Sequence, residues 1–300
     1  MAMTVIETSE LSKYYGRVRG VEDLDLRVEE GEVFGFLGPN GAGKTTTIRL
    51  LLGLIHPSRG QARIFGSALD YRSPSFRQNI GYLPGELGLY SHVSGIEFLS
   101  RMSSLRKNKP GDKARELAQR LDLDLSRKIK GLSHGTRQKL GIVQALMHDS
   151  GLLILDEPTI GLDPLAQQTF YELIHEERGQ GKTVFLSSHL LGEVERTCSR
   201  VGVIREGRLA VVENISDLKK KRVKWAEVEL KGEVDPEKFN IPGVRSVQKE
   251  GRRLKLSLEG NYNEVLAALA TCPLENITIQ DASLEEIFLE YYSGSREDEP

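Results

Sequence analysis

Little in this chain of 300 residues invites a disulfide framework or a metal cage. Its two cysteines, Cys198 and Cys272, stand far apart without zinc-type spacing, and they point to a reducing compartment. No apolar run approaches the roughly 20 residues that a membrane-spanning helix needs. The opening stretch, Met1 to Glu10, lacks both a basic patch and an apolar core, so no signal peptide is expected. A formal net charge of −2 gives no electrostatic reason to expect nucleic acid as a partner. What remains is a cytosolic protein of two domains, or one large domain with an appendage, that reaches any membrane through a partner.

What is present is organised around Gly38-Pro39-Asn40-Gly41-Ala42-Gly43-Lys44-Thr45-Thr46, which fits the phosphate-binding pattern G-x-x-x-x-G-K-[ST] in full. Val33 to Leu37 before it reads as a short buried strand. Thr46 to Leu54 after it carries Ile48, Leu51 and Leu52 at helical spacing. Glycines let successive backbone N–H groups point inward around phosphate oxygens, and a helix N-terminus adds partial positive charge. Lys44 is expected to reach the β- and γ-phosphates of a nucleoside triphosphate, and the Thr45 hydroxyl to hold Mg²⁺.

A second phosphate-handling half lies downstream. Leu152 to Leu155 is a continuous apolar run that suits a parallel strand buried on both faces. Asp156 follows it directly, at the carboxyl end of a central strand, where a Mg²⁺-associated acid belongs. Glu157 comes next and is expected on the γ-phosphate side, able to orient and deprotonate an attacking water. This acid pair favours hydrolysis over transfer to a second substrate. In Leu132 to Lys139, Ser133 and Gly135 offer a hydroxyl and a bare N–H at a helix start. Taken alone, that stretch reads as a plain helix N-cap; its place shortly before the Asp156-Glu157 strand points to anion binding.

The rest sets the frame. Residues 4 to 30 read as β-rich, and Tyr15 between two strands either stacks on a base or covers a sheet edge. From about 87 to 149 the pattern turns helical, opening on the capping box Ser94-Gly95-Ile96-Glu97. A helix around Gln167 to Arg178 and a strand from Thr183 to Leu186 lead to Ser187-Ser188-His189. The basic run Lys219 to Arg222 marks a joint. Beyond it strands around 225–230, a hairpin over 244–258, a helix over 262–270, a strand at 277–279 and a capped helix over 283–292 make a small α+β domain. The expected fold is therefore α/β. It has a P-loop NTPase core with a mixed sheet and helical insertion over residues 1–218, then a small C-terminal α+β domain over 224–300.

In order, Gly38 to Thr45, Leu132 to Thr136, Leu152 to Glu157, Gly161-Leu162-Asp163 and His189 resemble the nucleotide-binding subunit of an ABC transporter. The C-terminal piece around Asp281 to Phe288 resembles the appendix of the multidrug and sodium-exporter type that serves ABC-2 permeases. The resemblance implies ATP and Mg²⁺ as ligands and an ATP-hydrolysing exporter subunit held at the inner face of the cell membrane by an integral membrane permease. It further implies a head-to-tail dimer, with ATP between the P-loop of one copy and the Ser133–Gly135 loop of the other. Tyr15 would stack on adenine, Asp163 would bridge the dimer interface, and His189 would contact the γ-phosphate and hold Glu157 and water in place. Two departures stand out: His134 and Thr136 replace a glycine and the glutamine of the signature loop, and Gly85-Glu86 stands where a Mg²⁺-touching glutamine is usual.

Overall fold

Alternating apolar and polar residues build the first layer. β1 (Thr4–Tyr15) buries Val5, Ile6 and Leu11, and pairs antiparallel with β2 (Val18–Glu29), which turns Val21, Leu24, Leu26 and Val28 inward. β1 runs on through register shifts that carry Tyr14 and Tyr15 to its end. β3 (Val33–Leu37) is buried at every position, as a strand covered on both faces must be. α1 (Lys44–Leu51) follows the glycine-rich loop, while β4 (Arg59–Ile64) and β5 (Ser67–Ala68) extend the antiparallel layer.

β6 (Ile80–Leu83) precedes three helices, α2 (Gly95–Leu105), α3 (Asp112–Arg120) and α4 (His134–Leu146). The expected capping box opens α2: Ser94 Oγ accepts from the Glu97 N–H, and Glu97 Oε2 accepts from the Ser94 N–H at 2.7 Å. The chain returns as β7 (Leu152–Asp156), α5 (Pro164–Gly179), β8 (Thr183–Ser188), α6 (Leu191–Thr197), β9 (Arg200–Arg205), β10 (Arg208–Asn214) and α7 (Ile215–Lys220). α5 starts earlier than the apolar spacing suggests, because Asp163 Oδ1 caps the Ala166 N–H at 2.9 Å and Pro164 fits the first turn. Its far end is tied to the inserted helices: Lys113 Nζ lies 2.8 Å from Glu177 Oε1, and Arg120 holds both oxygens of Glu176.

The second sheet has the order β10-β9-β3-β8-β7-β6 and is parallel except for β10, so it is mixed as expected. Phe34, Phe36 and Phe185 pack ring on ring at its centre. Ile48 and Leu51 of α1 and Ile6, Leu24 and Val28 of the antiparallel layer join them in one core. Register places Leu37 beside Ser188 and Asp156 beside Ser187, so the carboxyl ends of β3, β8 and β7 open at one edge.

The computed structural model describes residues 3–70, 74–88, 92–106, 112–220, 224–232 and 234–281, in two units, Met1–Ile215 and Ser216–Pro300. In the second unit β11 (Lys224–Leu230), β12 (Val244–Glu250), β13 (Arg253–Leu258), α8 (Tyr262–Ala270) and β14 (Leu274–Asp281) form an antiparallel sheet of order β12-β13-β11-β14 under one helix. Val228, Leu254 and Leu256 pack with Val265, Leu269 and Phe239. The helix expected over 283–292, the acidic end from 293 and the Lys221-Arg222 half of the basic run lie outside the described residues.

Candidate nucleotide site

The loop from 38 to 43 turns sharply between β3 and α1, and its sequence permits the turn. Gly43 sits at φ 111° in front of α1, and a Cβ there would come within 2.6 Å of the Gly20 carbonyl oxygen. Only glycine meets both demands. The loop is tied to β8 by the Gly38 N–H, which donates to the Ser188 carbonyl at 3.1 Å. Lys44 turns back across it and donates from Nζ to the carbonyls of Gly38 at 2.6 Å and Pro39 at 3.1 Å. The first N–H groups of α1, including those of Thr45 and Thr46, have no partner within the helix and so can serve an anion.

Lys44 is 6% exposed and makes an ion pair with Glu157 Oε1 at 3.0 Å. Glu157 Oε2 lies 2.7 Å from His189 Nδ1 and 3.4 Å from the His189 N–H. The backbone at Glu157 adopts φ 49°, a conformation seldom taken by non-glycine residues. Its N–H is held by Ser187, through the carbonyl at 3.2 Å and Oγ at 3.1 Å.

Asp156 is 1% exposed, and both oxygens face hydroxyls: Thr45 Oγ1 donates to Oδ2 at 2.9 Å, and Ser187 Oγ donates to Oδ1. A buried carboxylate with an adjacent hydroxyl is an oxygen set that suits a hard divalent cation. Gly85 comes close behind, since a Cβ there would lie 3.3 Å from Asp156 Oδ2. Glu86 beside it is exposed.

A cleft of about 330 Å³ opens over this chemistry, lined by Tyr15 and Val18 on one side and by Asn40, Gly41, Gly43 to Thr46 and Glu157 on the other. Tyr15 is 45% exposed there, with Lys13 Nζ 5.5 Å from its ring centre. Tyr14 is drawn away by a hydrogen bond to Glu22. Asp156 and His189 stand behind the lining, held to Thr45 and Glu157, whereas Ser133, Gly135 and Asp163 neither line the cleft nor bond to a residue that does. Ser133 caps α4, its Oγ accepting from the Thr136 N–H at 3.2 Å. Asp163 caps α5 and faces Lys139 Nζ at 3.3 Å; the Ala166 N–H, and then Lys139, hold its carboxyl below the usual carboxylate range. His134 is exposed, and a Cβ on Gly161 would meet its Nδ1 at 2.4 Å.

Two contributors went unread in the sequence. Ser187 braces both acids, and its signal was the hydroxyl-rich end of β8 before His189. Gln138 is buried and donates from Nε2 to the carbonyls of Pro158 at 2.9 Å and Glu157 at 3.3 Å, joining α4 to the acid segment. Its only signal was a polar residue on the apolar face of a helix.

Comparison with known proteins agrees with this geometry. The pattern of the family described as ABC transporter matches residues 21–160, and that of the ATP-binding protein DrrA1-3-like, C-terminal domain, matches 214–292. The chain is 35% identical over 302 residues to the bacitracin transport ATP-binding protein BcrA of Bacillus licheniformis, covering 97% of this chain and 98% of that protein. It is 34% identical over 292 residues to the Nod factor export ATP-binding protein I of Cupriavidus pinatubonensis, covering 95% of this chain and 90% of that one. Among solved structures, an ATP-binding subunit of an ABC transporter superposes with a TM-score of 0.67 at 32% identity, covering 72% of this chain and 92% of that one. A dimeric cassette, MJ0796 with ADP and Pi, shares the fold at 22% identity with a TM-score of 0.64, covering 70% of this chain and 98% of its own.

Proposed function

Since the chain belongs to the ABC transporter family, as an ATP-hydrolysing, ATP-binding subunit, we propose that it powers an exporter through an integral membrane permease of ABC-2 type. The export reading is supported by relatives named for Nod factor export and bacitracin transport. Among the described residues no helix is long and apolar enough to cross a membrane. The proposed place of work is the inner face of the cell membrane, on the permease.

The observation that carries the catalytic reading is the chain of contacts Lys44–Glu157–His189. The Gly38–Thr46 loop would wrap the phosphates, Lys44 would neutralise charge on the β- and γ-phosphates, and Tyr15 would stack on adenine. Thr45 and Asp156 would hold Mg²⁺, which supplies charge neutralisation at the phosphates when bound. A water oxygen attacks the γ-phosphorus as the bond to the β–γ bridging oxygen breaks. The water's proton passes to a Glu157 oxygen, and ADP departs with the bridging electron pair. His189 holds Glu157 Oε2 in place during this step.

The site is completed by a second copy arranged head to tail, whose Ser133 and Gly135 face the γ-phosphate and whose Asp163 lies at the joint. Two facts support this. Those residues sit outside the chain's own cleft, and Ile160 and Leu165, near Asp163 in sequence, leave apolar surface in water, Leu165 at 82%. The test is Glu157→Gln. It should keep ATP binding, lower turnover by about 10²–10⁴ and trap an ATP-bound dimer on size exclusion. Near-normal steady-state hydrolysis would remove Glu157 from the role of base.

A further inference from the structure

Glu193 on α6 is 3% exposed, and the hydrolytic step above makes no use of it. Its Oε2 accepts a hydrogen bond from Ser188 Oγ at 2.6 Å. The Thr159 hydroxyl approaches the same carboxyl, yet the buried Oε1 makes no hydrogen bond of normal geometry. An acid buried this deeply, only partly satisfied, needs an explanation beyond packing.

Its position supplies one. Ser188 is the residue before His189, and its Oγ also accepts from the Leu190 N–H at 2.9 Å, clamping the turn that presents the imidazole. Thr159 is buried two residues after Glu157, and its carbonyl accepts from the Leu162 N–H at 3.1 Å in the segment that leads to Asp163. One carboxyl therefore reaches both chain segments whose side chains meet at Glu157 and His189.

The groups around it are Glu157 from the end of β7, Tyr171 from α5 and the Cys198 thiol at the end of α6. Arg196 is engaged with the Tyr171 ring at 5.9 Å. β8 offers only the Ser188 hydroxyl, and β3 presents Gly35 against Val194 and Cys198. Among the described residues no cation is a cause of the shift of this carboxyl. Burial first, with the Glu157 charge adding to it against the two hydroxyls, pushes it up to about 7 from an ordinary 4.5.

We propose that Glu193 is a positioning residue that locks the His189 turn to the segment after Glu157 when ionised and loosens it when protonated. As a carboxylate it accepts from the Ser188 hydroxyl and draws the Thr159 hydroxyl toward it. As an acid it loses acceptor capacity, and the Ser188 hydroxyl turns toward the Leu190 carbonyl, 3.3 Å away. The inference rests on the reading of Glu157 as the base.

The experiment measures ATPase rates of the full chain from pH 6 to 9 for wild type, Glu193→Gln and Glu157→Gln. Melting temperature and ATP affinity are followed alongside. Wild type should gain activity through neutral pH, a step that Glu193→Gln lacks. At high pH the variant's kcat should fall roughly ten- to hundred-fold, by analogy with the loss of an outer partner of a metal ligand, with KM for ATP within about twofold, since nothing that touches nucleotide has changed. A superimposable pH profile would overturn the inference, as would a loss confined to KM or melting temperature. Near-normal turnover in Glu157→Gln would instead defeat the reading of the base, whatever Glu193→Gln does.

Discussion

One methyl group tests how closely the start of α4 meets the segment that follows Asp156 and Glu157. A Cβ on Gly135 would lie 2.3 Å from the Gly161 carbonyl oxygen, which is backbone. Ordinary carbon–oxygen contacts begin near about 3.3 Å, so something must move by about 1 Å. Neither side yields easily. α4 is pinned at its first turn by the Ser133 cap and by Gln138 on the carbonyls of Glu157 and Pro158, and Gly161 sits at φ 76°. Alanine is favoured over glycine within a helix by up to about 1 kcal/mol, while overpacking costs about 1–3 kcal/mol, so the clash wins. Gly135→Ala should therefore destabilise the first unit by about 1–2 kcal/mol net. At about 2–4 °C per kcal/mol for a unit of this size, melting should fall by about 2–8 °C. Gly131→Ala, with nothing within 4 Å of its Cβ, is the control and should stay within about 0.5 kcal/mol of wild type. Calorimetry of the full chain, following the transition that ATP shifts, reads both. If Gly135→Ala melts at or above wild type, the packing argument fails.

Three further outcomes follow from the contacts. Glu86 is exposed, so Glu86→Ala should leave Mg²⁺ dependence of the isolated subunit unchanged while weakening ATPase in the permease complex; a tenfold higher Mg²⁺ requirement, about 1.4 kcal/mol, would place Glu86 in the metal shell instead. Burial, then Arg106 and Lys113, pushes buried His148 down to about 4 from 6.5. The unfolded chain takes up that proton first, so stability is complete above pH 6.5 and drains away as pH falls toward 4. His148→Leu should flatten this loss in urea midpoints taken at pH 7 and 4.5, and an unchanged gap would refute it. Glu177→Ala strands buried Lys182 and should cost near the low end of about 3–5 kcal/mol, because Asp149 remains at 3.6 Å. A melting point within a degree of wild type would show that the pair is not needed.

Much of the site was legible because phosphate chemistry demands particular residues at fixed spacing. The Gly38–Thr46 loop, Asp156 after its buried strand and Glu157 beside it could be read from residues alone, and the capping box at Ser94 was equally local. Lines of reasoning that depend on tertiary contacts fared differently. α6 is only seven residues long, too short for helical periodicity to register, and it holds Glu193. Ser187 and Gln138 look like ordinary strand-end and helix residues until the fold brings them to the acids. The bounds of β1 are not legible within the β-rich stretch, because its bulges break the alternation that marks a strand. His134, which departs from the usual signature loop, lies exposed against Gly161 of its own chain.

The 16 residues of α5 make a rod about 24 Å long. Its N-cap, Asp163, belongs to the segment that starts at Glu157. Its last turns carry Glu176 and Glu177, gripped by Arg120 and Lys113 from α3. Proline and glycine occur only at its two ends, Pro164 and Gly179, so the interior contains no residue at which a helix readily bends. α5 is therefore a stiff, unbroken link between the segment that follows Glu157 and the inserted helices. The joint at the far end is made of charges, three of them partly in water, so salt would slacken that joint before it touched the apolar core beneath.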